Sequence, residues 1–276
     1  MALATVLALI AALLHTTWNL LIKTAGNREV AAWGQFVFGG IALAPVLLFI
    51  GPPGVDALPY LGISAIVHIA YVFALVKAYQ HGLFSLVYPL TRGGGALTAA
   101  VLGLALLGDS LPAGGWIALG IVTLGIASLM QPGAPRVEIA FALLTASMIG
   151  VYTVIDTAGS RHSTSGFSYG ITLVLFTGLV LTVVMISRDK VREMRISARL
   201  DWRRHLVSGI CLALAYSLVL VAVRFAPIGY VATLRESSIV IGAAIGWLFL
   251  HERLGRQRLI SSVVIALGLV ALVAWQ

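Results

Sequence analysis

Apolar stretches of about twenty residues recur along the whole chain, separated by short turn-like or charged segments. A hydrocarbon core of roughly 30 Å needs about 20 apolar residues in an α-helix. At that spacing the pattern predicts ten spans: 3–22, 31–50, 58–78, 83–107, 112–130, 137–157, 167–187, 204–224, 228–250 and 259–275. The separators include GPPGVDALP at 51–59, GDSLP at 108–112 and QPGAP at 131–135. Helices follow because lipid cannot satisfy backbone polar groups, and the alternation of an outer-membrane strand is absent. The first span follows Met1-Ala2-Leu3 without a basic residue or an obvious small-residue cleavage site, so it reads as a retained helix rather than a signal peptide.

The pattern also repeats. Residues 108–129 (GDSLPAGGWIALGIVTLGIASL) align with 251–272 (HERLGRQRLISSVVIALGLVAL) at an offset of 143, which pairs Asp109 with Glu252, Gly125 with Gly268 and Arg92 with Arg235. Five spans precede QPGAP and five follow it. An odd number of spans per unit forces the second unit to be inverted in the membrane, a common construction of secondary transporters. The expected fold is therefore an all-α membrane protein of ten transmembrane helices in two inverted five-helix repeats, residues 1–131 and 137–276.

Composition narrows the class. The chain is 60% hydrophobic and 10% charged, against about 25% charged in soluble domains. That excludes an ordinary soluble enzyme, a disordered chain and a nucleic-acid module. The formal charge of +8 then reads as loop Lys and Arg that set membrane orientation. Fourteen of the 18 basic residues (Lys23, Arg28, Lys77, Arg136, Arg188, Lys190, Arg192, Arg195, Arg199, Arg203, Arg204, Arg253, Arg256 and Arg258) fall on the side of the 1–2, 3–4, 5–6, 7–8 and 9–10 connections. Arg161 and Arg224 fall on the other side, and Arg92 and Arg235 lie within spans. The positive-inside rule makes the basic side cytoplasmic and puts both termini outside. The basic stretch 188–204 is expected at anionic headgroups. One cysteine, Cys211, excludes an internal disulfide or a cysteine metal cluster.

Ionisable residues inside spans cost roughly 2.5–3.5 kcal/mol at the helix centre on insertion scales, so they face a cavity or a partner. Arg92 is the strongest such signal. Pro89 precedes it, where the helix is expected to bend or break, and Gly93-Gly94-Gly95 follow, which lets another backbone or a ligand approach. A guanidinium there suits a carboxylate or phosphate. The alternatives are snorkelling, capping, or structural pairing with Glu236 or Asp156. Tyr88 lies one turn before it. His15, Trp18 and Asn19 share a face of span 1, and His68, Tyr71 and Tyr79 follow helical spacing in span 3. Tyr230, Thr233 and Ser237 line one face of span 9, flanked by Arg235 and Glu236.

The expected substrate-binding set is Arg92, Tyr88, His15, Trp18, Asn19, Tyr71, Tyr230 and Ser237. The expected coupling or ion-pair set is Glu236, Arg235, Asp156 and His68. Interfacial belts and ordinary packing are the competing explanation for the aromatics, and satisfied hydrogen bonding for the histidines. No metal or cofactor motif is present. Gly242 and Gly246 form G-x-x-x-G, which permits close packing of spans within the chain or, alternatively, a homodimer.

The segments YPLTRGGGALTAAVLGLALLGDSL and APIGYVATLRESSIVIGAAIGWLFLHERL, with LHTTWNLLIK at 14–23, resemble the EamA-type members of the drug/metabolite transporter superfamily. Glu252-Arg253-Leu254 is similar to the family's acidic-Arg-Leu turn, whereas the first half departs from it with Asp109-Ser110-Leu111. The resemblance implies a multi-pass inner (plasma) membrane carrier that moves a small polar or amphipathic metabolite, such as an amino acid, by alternating access. It also implies both termini in the cytoplasm, in conflict with the basic-residue count. Arg92 adds a preference for an anionic group. Proton coupling would rest on Glu236, Asp156 and the histidines. An intramembrane enzyme acting on lipid or isoprenoid is the alternative, but no HExxH, GxSxG or P-loop pattern occurs. A channel would need a pore loop or polar ring, and neither is visible.

Overall fold

The computed structural model describes residues 2–106, 113–129, 136–222, 234–252 and 255–274. Among these residues no strand occurs, and eleven helices of ten residues or more are present. They are α1 (Ala2–Lys23), α2 (Arg28–Leu43), α3 (Leu58–His81), α4 (Phe84–Leu106), α5 (Ala113–Leu129), α6 (Arg136–Arg161), α7 (Gly166–Ser187), α8 (Val191–Leu200), α9 (Trp202–Ala222), α10 (Ser237–Leu248) and α11 (Gly255–Ala274). A 3-10 turn at Ala44–Val46 and one α turn carry α2 on to Ile50. Five stretches among the described residues are long and apolar enough to cross a membrane: Ala2–Lys23, Arg28–Ile50, Val55–His81, Arg136–Arg161 and Gly166–Ser187.

Local chemistry sets several boundaries. Asn27 caps α2 by accepting from the Val30 amide at 3.2 Å. Ser165 caps α7 by accepting from the Phe167 amide at 3.2 Å. Each satisfies an amide that the first helical turn leaves free. Gly51, at φ +79°, turns the chain away from α2 in a conformation that side-chain-bearing residues rarely adopt.

Two sequence expectations change here. Segment 188–204 carries a helix, α8, where a loop was expected; its ten residues are too few to span a bilayer but hold a helical period, with Met194 buried and Ile196 and Leu200 exposed. Pro89 does not break α4, which runs through it to Leu106. It removes the amide that would have reached the Ser85 carbonyl, and the helix continues past that missing bond. The three glycines after Arg92 admit neighbouring helices: Gly93 meets Ile265 of α11, and Gly94 and Gly95 meet Ala146 and Ile149 of α6.

The two sequence halves interdigitate. The most extensive helix contacts join α3 and α4 to α6, α1 and α2 to α9, and α5 to α11. Small residues set the spacing. Ala4 and Ala8 of α1 pack on Ala222 of α9, and Gly39 of α2 lies directly against Gly209 of α9. Where α5 meets α11, Gly125 faces Ile265 and Gly268 faces Val122. The offset of 143 carries Gly125 onto Gly268 and Val122 onto Ile265, so the contact is reciprocal. The connections gather at two ends. Thr164 donates to the Pro52 carbonyl at 2.9 Å and His162 stacks on Tyr60 at 5.0 Å at one end. Residues from the 1–2, 3–4, 5–6 and 9–10 connections meet at the other, as described below. Many large apolar side chains stay exposed on the outside, among them Leu48, Phe49, Ile66, Leu124, Val183 and Leu267.

Candidate functional site

The buried centre is built around Glu236, which stands at the start of α10. Arg92, in the middle of α4, donates from Nη2 to Glu236 Oε1 at 2.6 Å. Arg235 donates from its own Nη2 to the same oxygen at 3.2 Å. Arg92 and Glu236 are buried, while the Arg235 side chain is 31% exposed. Two cations on one carboxylate leave a local excess of one positive charge. The cluster is also incompletely bonded: Arg92 Nε, Arg235 Nε, Glu236 Oε2 and the nearby Ser238 Oγ are buried without a hydrogen-bond partner. Such groups are costly in an apolar interior, so each calls for a specific explanation.

Aromatic side chains surround the cluster. Within electrostatic reach of Arg92 lie Tyr71, Tyr88 and Tyr152. The Tyr88 hydroxyl meets Thr16 Oγ1 at 3.2 Å, and the Tyr88 ring fills the space left by Gly242 of α10. His15 packs edge-on to Trp18 at 5.0 Å and 6.1 Å from the Tyr88 ring, and lies within reach of both Arg92 and Arg235. Asn19 accepts from the Tyr79 hydroxyl at 2.8 Å and donates to the His15 carbonyl.

A second polar group lies between α3, α6 and α7. His68 stacks on Tyr152 at 4.2 Å, and Tyr71 approaches both rings edge-on. His68 Nδ1 lies 2.9 Å from the Ser64 carbonyl and 3.1 Å from its hydroxyl. Asp156, one turn beyond Tyr152, accepts from the Tyr169 hydroxyl at 2.8 Å. Tyr152 is within electrostatic reach of both Asp156 and Arg92.

At the end of the molecule shared by the 3–4 and 9–10 connections, a different cluster clasps the turn between α3 and α4. Lys23 Nζ donates to the Tyr79 carbonyl at 2.9 Å and to the Gly82 carbonyl. Glu138 accepts from the Leu83 amide at 3.0 Å. Glu252 accepts from the Phe84 and Ser85 amides at 2.6 and 2.7 Å, one oxygen each. Arg258 donates to Ser85 Oγ at 3.0 Å. The cation thus meets the free carbonyls ending α3 and the carboxylates meet the free amides starting α4, which is the arrangement that both hydrogen bonding and helix dipoles favour.

The structure therefore brings together Arg92, Arg235 and Glu236, groups His15, Trp18, Asn19 and Tyr88 beside them, and joins Tyr71 to His68. Asp156 belongs to that same second group, bonded to Tyr169 and within electrostatic reach of His68. Ser237 turns to the Leu234 carbonyl at 2.6 Å, which is ordinary local bonding within its own turn. Tyr230 and Thr233 lie outside the described residues. Gly242 and Gly246 pack α10 on Tyr88 and Ser85 of α4 within the chain. Sequence reasoning missed Thr16, Tyr152 and Ser238. For Tyr152 a signal existed, since it lies one turn before Asp156. Thr16 and Ser238 carry none, because a hydroxyl in a span commonly bonds its own helix.

Residues 136–274, half of the chain and all of α6 to α11, match the model of the EamA-like transporter family. The chain belongs to the EamA-like transporter family. That family is part of the drug/metabolite transporter superfamily, so this is a membrane protein of the transporter kind. No curated protein matches it. One solved crystal structure is 16% identical, covers 98% of this chain and 96% of its own, and superposes with a TM-score of 0.68. That likeness establishes a shared fold alone.

Proposed function

We propose that this EamA-family protein is a secondary active transporter of small anionic or amphipathic metabolites, amino acids among them, in the inner membrane. In this reading ten helices span the bilayer as two inverted five-helix repeats, and α8 lies at the surface. The reciprocal pairing of Gly125 with Ile265 and Gly268 with Val122 supports the repeat, because a two-fold relation makes such contacts come in pairs. The convergence of Arg92 and Arg235, equivalent at the same offset, on one carboxylate supports it too.

The observation that carries the function is the unbalanced centre. Two guanidinium groups share one carboxylate and each keeps a buried Nε free. A substrate carboxylate or phosphate entering there neutralises the excess charge and engages donors that Glu236 leaves unused. Any proton coupling is assigned to Glu236, the carboxylate on which both arginines converge. Asp156 and His68 lie along a side route to it through Tyr152. The clasp on the 82–85 turn closes the molecule at its end, and alternating access requires it to open.

Proteoliposomes test each part. Substrate panels should show saturable uptake or counterflow that favours anionic compounds, and Arg92→Ala should weaken their binding at least tenfold. Unchanged affinity in that variant would remove Arg92 from the site. Rates that are identical with and without a pH gradient would remove proton coupling. A C-terminal reporter that is active outside the cytoplasm supports the orientation given by the basic residues, and a cytoplasmic signal overturns it.

A further inference from the structure

We propose that α8 is an in-plane anchor that binds anionic phospholipid headgroups through Arg192, Arg195 and Arg199. Helical geometry divides α8 into three sectors. Met194 and Ala198, four residues apart, pack onto the hydrophobic core. Ser197, in the same sector, bonds Asp201 Oδ2 and His205 Nε2, both at 2.9 Å, and ties α8 down against α9. Arg192, Arg195 and Arg199 are spaced by three and four residues, so they form one stripe. All three are exposed. Beyond them stand Ile196 and Leu200, 47% and 78% exposed.

The stripe is unpaired by arrangement rather than for lack of acids nearby. Glu193, on the same helix, is drawn the other way: it accepts from Lys190 at 2.7 Å and from Asn27 at 2.8 Å, and the Lys190 hydrogen bond holds its carboxyl below the usual range. Arg188 is taken by Glu29 at 3.3 Å and Arg204 by the Leu21 carbonyl at 3.2 Å. Among the described residues, Arg192, Arg195 and Arg199 make no hydrogen bond or ion pair. A stripe of free guanidinium groups beside an apolar ridge fits one occupant. The ridge enters the acyl boundary while the cations stay at the phosphate level. A soluble polyanion would leave Ile196 and Leu200 in water. The position of α8, between the end of α7 and the start of α9, places it where the spans leave the membrane.

The test uses the full protein, delipidated in neutral detergent, and reads thermal shift and native mass spectrometry on adding phosphatidylglycerol, phosphatidylcholine or inorganic phosphate. The wild type is expected to be stabilised by phosphatidylglycerol alone and to retain it. The triple variant Arg192→Gln, Arg195→Gln, Arg199→Gln should bind it on the order of a hundredfold more weakly, given the typical attraction of each headgroup-level cation. The control Arg136→Gln, Arg256→Gln should bind like wild type. A triple Arg→Lys variant guards against misfolding and should stay within a few-fold of wild type. Equal stabilisation by phosphatidylcholine or by phosphate overturns the proposal, as does full binding by the glutamine triple or loss of binding by the lysine triple.

Discussion

The protein holds two clusters of charge, and they are bonded in opposite ways. At the end, Glu252 uses both oxygens on backbone amides, and Lys23 spends its protons on backbone carbonyls. At the centre, Arg92, Arg235 and Glu236 share one short contact and one longer one, with three of their polar atoms unpartnered. The end cluster balances two cations, Lys23 and Arg258, with two carboxylates, Glu138 and Glu252, and leaves only Arg258 Nε unpartnered, whereas the centre has an excess charge and three unpartnered atoms. A charge-balanced cluster tied to backbone groups holds a conformation in place. An unbalanced one, in an interior where unpaired polar atoms are expensive, has bonding capacity that a bound molecule can use. On the proposed function, closure belongs to the end and recognition to the centre.

The largest effect should come from the centre. Arg92→Ala leaves Glu236 with only its longer contact and is expected to cost about 3–5 kcal/mol, as removal of one partner of a buried ion pair does. The double variant Arg92→Ala, Glu236→Ala should recover part of that loss in thermal unfolding. A double variant as unstable as the sum of the singles would mean that the pair is not coupled.

At the end, Glu252→Ala frees two amides and should cost about 1.5–3 kcal/mol, the range for hydrogen bonds to charged groups. It should change transport rate while leaving substrate affinity within a few-fold. A large fall in affinity would blur the distinction between the two clusters. Gly242→Ala sets a methyl group against the Tyr88 ring and, as overpacking, should cost about 1–3 kcal/mol. A smaller residue at Tyr88 should relieve it, measured as recovered thermal stability.

Tyr79→Phe removes the hydrogen bond to Asn19 and should cost about 0.5–1.5 kcal/mol, with a weaker effect on transport than Arg92→Ala. Ser237→Ala should stay within about 0.5 kcal/mol and leave binding unchanged, because the hydroxyl only reaches its own turn. A clear binding defect there would move Ser237 into the site.

Most of the architecture could be read along the chain. Twenty-residue apolar stretches can satisfy their backbones in lipid only as helices, so helix type and approximate bounds followed from length alone. The exception was α8, where ten amphipathic residues read as loop because the span template looks for length and not for a short 3.6-residue period. The costly residues inside spans were legible for the same energetic reason, and Arg92, Arg235, Glu236, His15, Tyr71 and Tyr88 were all found by asking what should not lie in a membrane.

The chain alone determined the helical class and the identity of the expensive polar groups, because hydropathy and insertion cost are properties of single residues and their immediate neighbours. It could not determine partners. Arg92 had Glu236 and Asp156 as rival partners 144 and 64 positions away, and only the packing of α4 on α10 chose Glu236. The clasp on the 82–85 turn was equally hidden, since its members come from residues 23, 138, 252 and 258. The glycines after Arg92, open in sequence to a backbone or a ligand, were given to α6 and α11. Charge pairing and close approach act over a few ångströms between segments far apart in the chain, so only the tertiary structure could settle them.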